Sequence, residues 1–225
     1  MGVIAGDIVA VQGLGGLGHL AIQYARKMGY RTVALSRGTA KKDFAMKLGA
    51  NDYIDTDAQD AAQELQKMGG AACIAVTAPN PDIITPLLEG LAPGGTLLLW
   101  TAIGPVPVNT VSMVLNALSV RGWPSGHSLD SEEAIAFADT HGVECMIEKF
   151  PLEKANEAME HMLSGKVRFR VSMTVHLIPQ DQTDLSRSLG CVDDVRRTIA
   201  SRRDVGSAVP NSICARYGRC SGARH

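Results

Sequence analysis

At 225 residues the chain has room for one large domain, or one domain with an appendage. Hydrophobic residues make up 45% of it, enough for a core, and the net charge of −1 gives no global field for nucleic acid or membrane surfaces. No apolar run reaches membrane-span length, residues 1–7 carry no signal-peptide pattern, and the five scattered cysteines (Cys73, Cys145, Cys191, Cys214, Cys220) suit reduced thiols; a cytoplasmic protein is expected.

Residues 7–12 contain the apolar run Ile8-Val9-Ala10-Val11 and predict a buried strand. Leu17, Leu20, Ala21, Tyr24, Ala25 and Met28 then recur at helical steps, and Gly29 is placed to end that helix. A second strand is expected over residues 31–36, a helix over 40–48 and a short strand over 52–55. A helix from about residue 58 to 68 and a fourth strand over 71–76 follow. Asn80-Pro81 predicts an N-cap with proline at the first helical position. Gly94-Gly95 is expected to turn into a strand over 96–100, and 118–122 is a sixth strand. Asp130 is expected to cap a helix, with Glu133 completing a capping box and Gly142 beyond its end. Repeated strand–helix alternation implies an α/β fold with a doubly wound parallel sheet, the Rossmann arrangement.

Composition divides the chain near residue 176. Residues 1–176 hold all eight lysines and all nine glutamates and carry a net −4; residues 177–225 carry +3. The expected organisation is a dinucleotide-binding domain over 1–176, ending in a returning helix and strand, and a disordered Arg/Ser-rich tail over 177–225.

Gly13-Leu14-Gly15-Gly16-Leu17-Gly18 has the pattern G-x-G-x-x-G between a predicted strand and a predicted helix. Gly13 permits the tight turn, Gly15 lets a pyrophosphate approach the backbone, and Gly18 lets helix pack on strand. The helix start offers free N–H groups and a positive dipole end to phosphates. An NAD-selective site places an acid about 20 residues on, at the end of the second strand. Ser36-Arg37 stands there instead, with Lys41 and Lys42 beyond. These groups suit a 2′-phosphate, so NADP(H) is the preferred cofactor, with NAD(H) as the other option. The alternative for Arg37, Lys41 and Lys42 is a solvated loop and helix face.

These segments, with Gly6-Asp7, Lys47-Leu48-Gly49-Ala50, Leu91-Ala92-Pro93-Gly94-Gly95, Gly122-Trp123-Pro124-Ser125-Gly126 and Ser164-Gly165-Lys166, resemble the zinc-dependent medium-chain alcohol dehydrogenases. The resemblance covers about residues 3–175. It implies hydride transfer between a nicotinamide cofactor and an alcohol or aldehyde. It further implies that Thr77-Ala78 lie against the cofactor ribose, and that Thr101-Ala102-Ile103 and Trp123-Pro124-Ser125 face the nicotinamide. Lys41 matches a lysine near the adenosine ribose, and Arg170 an arginine reaching back to the cofactor. Trp123 could instead be core, and Arg170 a surface residue.

The same resemblance implies a catalytic domain, with its zinc ligands and proton relay, that this sequence does not contain. Neither C-x-x-C nor a His-Glu dipeptide occurs, so no zinc and no catalytic residue are expected here. The expectation is therefore a truncated, catalytically impaired cofactor domain. The family also implies homo-oligomers formed through this domain, with residues 111–120 as an apolar surface, and residues 168–175 as a strand left with an exposed edge. Two other readings stand beside it: a non-catalytic nucleotide-binding or dimerising module, and a methyltransferase binding S-adenosylmethionine, against which Ser36 argues.

Overall fold

A computed structural model of the chain describes residues 2–165 and 167–175. Those up to Thr174 belong to one compact unit. The expected boundary at 176 and the tail over 177–225 lie outside the described residues.

The chain runs β1 (Ile8–Gln12), α1 (Gly18–Lys27), β2 (Arg31–Ser36), α2 (Lys42–Lys47), β3 (Asp52–Asp55), α3 (Ala61–Lys67), β4 (Ala71–Val76). It continues with α4 (Ile84–Leu88), β5 (Leu91–Leu99), α5 (Thr110–Leu115), β6 (Ser119–Gly122), α6 (Ser128–His141), β7 (Ile147–Pro151), α7 (Ala155–Leu163) and β8 (Arg170–Thr174). The first six strands form one parallel sheet in the order β3-β2-β1-β4-β5-β6. The order reverses between β1 and β4, which opens a crevice at the carboxyl ends of those strands.

Both faces of the sheet are covered, which is why its central strands are continuous apolar runs. One core gathers Ile74, Leu97, Leu65 and Ile84; the other sets Ile22 of α1 against Val11 and Ala34.

Several local expectations are corrected. Gly94-Gly95 lie inside β5, which starts at Leu91. The β4–β5 register shifts between Ala71 and Cys73, and a β-carbon on Gly95 would stand 2.9 Å from the carbonyl oxygen of Ala71. The glycines therefore serve a close backbone approach at a bulge rather than a turn. After Asn80 the first turn is a 3-10 helix, Pro81–Ile83, and α4 follows. Asp130 is not the cap of α6: His127 holds the extended cap conformation, and its N–H donates to the Asp130 carboxylate at 2.6 Å.

The strand expected over 168–175 pairs on one side, and its other edge is unpaired among the described residues. It forms β8, in parallel register with β7, Ile147 opposite Arg170. Two side chains of α1 anchor the entry to β7. The Gln23 amide bonds both N–H and carbonyl of Glu144 at 3.0 and 2.9 Å, and Met146 N–H donates to Nε2 of His19 at 3.2 Å. The α6 helix buries no residue. Tyr24 holds it through a 2.8 Å hydrogen bond to the Ala134 carbonyl and through ring contact with Phe137. Beneath it lies an apolar cleft of about 800 Å3. On α5, Val111, Val114 and Leu115 are exposed, whereas Leu118, between α5 and β6, is buried.

Candidate functional site

A cleft of about 850 Å3 opens at the carboxyl ends of β1, β2 and β4. The glycine loop forms one wall. Gly13 has φ +94°, a conformation open to glycine and costly for other residues. A β-carbon there would also meet Thr77 Oγ1 and Ala78 Cβ, each at 2.9 Å. A β-carbon on Gly18 would strike the Gly13 carbonyl oxygen, so this glycine lets α1 start tight against the end of β1. On Gly16 it would stand 2.9 Å from the Phe169 carbonyl oxygen. Only Gly15 of the four faces open space, with no atom within 4 Å. Leu14 is buried in the core and Leu17 is exposed. Among the described residues, the N–H groups of Leu14, Gly15 and Gly16 make no hydrogen bond. They are donors at the start of a ten-residue helix, an arrangement that suits an anion.

Lys41 reaches across this loop, its Nζ donating to the Leu14 carbonyl at 3.3 Å. Ser36 and Arg37 also line the cleft. Near Ser36, the Tyr53 hydroxyl donates to the Gly38 carbonyl at 2.6 Å. Burial pushes the Tyr53 phenol above its ordinary value, and the nearby Ser36 hydroxyl partly opposes that. The Asp55 carboxylate accepts from Gly38 N–H at 2.7 Å and fixes the turn after Arg37.

Thr77 and Ala78 line the cleft too, but the Thr77 hydroxyl is committed to the backbone. It sits 2.8 Å from the Gln12 carbonyl and 3.1 Å from that of Gly13. Ala78 N–H donates to the Gln12 side chain at 3.3 Å. Thr101, Ala102 and Ile103 follow β5 and do not line this cleft. Ile103 packs on the core, Ala102 is exposed, and the Thr101 hydroxyl is the one buried side-chain polar atom without a partner among the described residues. Trp123 is not core: it is about half exposed, it lines the apolar cleft under α6, and the Arg121 guanidinium lies 5.2 Å above its ring.

Arg170 comes to the loop from the far end of the sequence, its Nε donating to the Gly16 carbonyl at 3.2 Å. Just before it, the Phe169 ring stacks between His19 and Phe44, at 4.8 and 4.7 Å between centroids. His19 is fully buried, and that burial lowers its pKa. The neutral ring donates from Nδ1 to the Gly15 carbonyl at 3.1 Å while Nε2 accepts from Met146.

The sequence reading missed Gln12 and Asp57. Gln12 adjoins the first glycine, and its position at the strand end was the available signal. Asp57 lines the cleft from beyond β3, a strand whose Asp55 pairs in register with Ser36.

Residues 16–140 match the family described as "Zinc-binding dehydrogenase". The chain belongs to that zinc-binding dehydrogenase family. It is similar to "Alcohol dehydrogenase patD" of Penicillium expansum, 55% identical over 175 residues that cover 78% of this chain and 52% of that protein. Among solved structures it resembles a cinnamyl alcohol dehydrogenase from Sorghum bicolor, with TM-score 0.67 and 29% identity, covering 76% of this chain and 48% of that one. It also shares its fold with an acetophenone reductase from Geotrichum candidum solved in complex with NAD, with TM-score 0.66 and 19% identity, over 76% of this chain and 49% of that one. The chain spans about half the length of the curated relatives it matches.

The zinc-binding dehydrogenase chain thus carries the cofactor-binding domain of an alcohol dehydrogenase-like oxidoreductase. That membership removes the methyltransferase alternative. Gly15 and the unbonded loop N–H groups fit a dinucleotide. A zinc ion is not fitted by the described residues, which gather no group of three His, Cys, Asp or Glu side chains able to hold a metal. No helix among them is long and apolar enough to cross a membrane.

Proposed function

We propose that this domain binds a nicotinamide dinucleotide along the cleft, NADP(H) in preference to NAD(H), for hydride exchange between an alcohol and an aldehyde by the whole protein. The open space at Gly15 beside unbonded N–H groups carries this reading. When bound, the dinucleotide supplies the nicotinamide carbon that gives or takes the hydride. The chain's own residues bind and orient it. The loop N–H groups meet the pyrophosphate, and Arg170 adds positive charge beside them. Thr77 and Gln12 brace the loop.

The NADP(H) preference is supported by Arg37 and Lys41 at the ribose end, where NAD-selective sites carry an acid. The Asp57 carboxylate in the same cleft works against it, and Arg37, which has no ion-pair partner among the described residues, is the principal phosphate partner. Fluorescence titration of the chain with NADPH and NADH tests both levels of the reading. Binding of neither overturns the function; tighter NADH binding overturns the preference alone.

The described residues gather no group able to hold a metal, so they are expected to bind dinucleotide without giving normal alcohol turnover by themselves. Chelator-sensitive oxidation of primary or benzylic alcohols by this chain would refute that. A second reading, a dimerising module, is favoured by the exposed Val111, Val114 and Leu115 on α5 beside the edge strand β6. Sedimentation of wild type against Val114→Asp tests it.

A further inference from the structure

We propose that Glu148 is a positioning residue for the glycine loop, acting through the backbone of Arg168 and the side chain of Arg170. The inference rests on the dinucleotide reading of the cleft and adds a residue far from it.

Glu148 lies on β7, opposite Val171 of β8. Its carboxylate has two partners. One oxygen accepts from Arg168 N–H at 2.7 Å, and the other lies 2.8 Å from Nε2 of His161 on α7. These contacts hold the carboxyl below the usual carboxylate range, the Arg168 bond first among the causes.

The three residues from Arg168 onward are each tied to a different element. Arg168 is held by Glu148. Phe169 has φ +119°, a conformation that bulky residues rarely adopt and that persists only where the surroundings over-determine it. Its ring is clamped between His19 of α1 and Phe44 of α2, and its carbonyl oxygen lies 2.9 Å from the point a β-carbon on Gly16 would occupy. Arg170 then bonds the Gly16 carbonyl through Nε alone. The outer guanidinium nitrogens make no bond among the described residues, and the side chain is exposed beside the unbonded loop N–H groups.

The mechanical consequence is direct. Phe169 keeps its strained backbone because both flanks are pinned. Releasing Arg168 N–H removes one pin and lets the Phe169 backbone relax toward negative φ. That rotation carries Arg170 away from Gly16 and takes a cation from the place where the pyrophosphate is proposed to sit. Glu148 therefore sets the affinity of the loop without touching the ligand.

The test is a double-mutant cycle on the 225-residue chain, read as the Kd of whichever of NADPH or NADH the wild type binds more tightly. Arg170→Ala removes the cation. Glu148→Ala removes the anchor, and Glu148→Gln keeps an acceptor for Arg168 N–H. The expected result is a loss of about three- to fivefold for Glu148→Ala, the scale of one exposed, solvent-screened charge-assisted contact. Glu148→Gln should restore affinity to within about twofold. In the Arg170→Ala background, Glu148→Ala should add no further loss, since coupled sites are non-additive. Additive losses would show that Glu148 acts on the fold in general and would overturn the proposal, as would an unchanged Kd for Glu148→Ala. If Glu148→Ala fails to fold, the Glu148→Gln and Arg170→Ala pair decides: a Glu148→Gln chain bound as weakly as Arg170→Ala overturns it. Wild type that binds no dinucleotide overturns the functional reading and this one with it, whereas a wild type that binds well with an insensitive Glu148 overturns only this one.

Discussion

The carbonyl oxygen of Phe169 stands 2.9 Å from the point a β-carbon on Gly16 would occupy, while the same point on Gly15 has nothing within 4 Å. Neighbouring glycines of one loop therefore answer to different constraints, one to the protein's own packing and the other to open space. Gly15→Ala should leave the melting temperature unchanged and weaken dinucleotide binding by about tenfold, since its β-carbon meets only the ligand's space. Gly18→Ala should destabilise the fold by about 1–3 kcal/mol, the scale of overpacking. Thermal melting and a titration separate the two; a Gly15→Ala chain that melts as early as Gly18→Ala would contradict the assignment.

His19 gives the chain an acid-side weakness. Burial holds its pKa below the ordinary imidazole value of 6.5, and its Nε2 must stay unprotonated to accept from Met146. The unfolded chain then binds the proton more readily than the folded one. This contribution to stability is full above the unfolded value, declines as pH falls through it, and reaches its floor below the depressed folded value. Urea midpoints should drop between pH 7.5 and 5.5, and His19→Gln should be less stable at pH 7.5 but show a shallower dependence. An equal slope in wild type and variant would rule out His19 as the source.

Much of this fold was legible because its central strands are buried on both faces. Ala71–Val76 and Arg31–Ser36 are short apolar runs between helical periods, and such runs mark parallel strands. β7 was hidden because Glu148 and Lys149 break its apolar pattern and its partner lies more than 20 residues downstream. Gly94-Gly95 misled because local chemistry favours a turn there, whereas the backbone approach to Ala71 is tertiary. In the cleft, the glycines, Ser36, Arg37 and Lys41 followed from spacing along the chain. Asp57 did not, since only the lateral order β3-β2-β1 carries the end of β3 beside that of β2. The commitment of the Thr77 hydroxyl to the Gln12 and Gly13 carbonyls was equally out of reach of spacing.

Cys73 and Cys145 should differ sharply in reactivity. Cys73 is buried on β4, and burial pushes its thiol up to about 11; Cys145 is exposed. The thiolate is the reacting species, so at pH 8 Cys73 presents almost none of it. Brief iodoacetamide treatment followed by peptide mapping should find Cys145 alkylated and Cys73 intact until denaturant is added. Early labelling of Cys73 would mean that β4 opens locally far more readily than its burial implies.

Cofactor choice should turn on the balance between Arg37 and Asp57. Both line the cleft at the ribose end, and Arg37 has no ion-pair partner among the described residues, leaving its guanidinium for a 2′-phosphate. Because that end is exposed, solvent screening reduces the contact to about 0.5–1 kcal/mol. Arg37→Ala should therefore weaken NADPH by about two- to fivefold and NADH by less than twofold. Asp57→Asn removes a carboxylate that repels the phosphate, and it should tighten NADPH by a similar factor while leaving NADH nearly unchanged, since NADH carries no 2′-phosphate. The two effects should also weaken together as salt rises, because both are interactions of solvent-exposed charges. An Asp57→Asn chain that loses NADH affinity instead would make Asp57 the acidic ribose ligand, supplied from β3 rather than from β2, and would turn the preference to NAD(H).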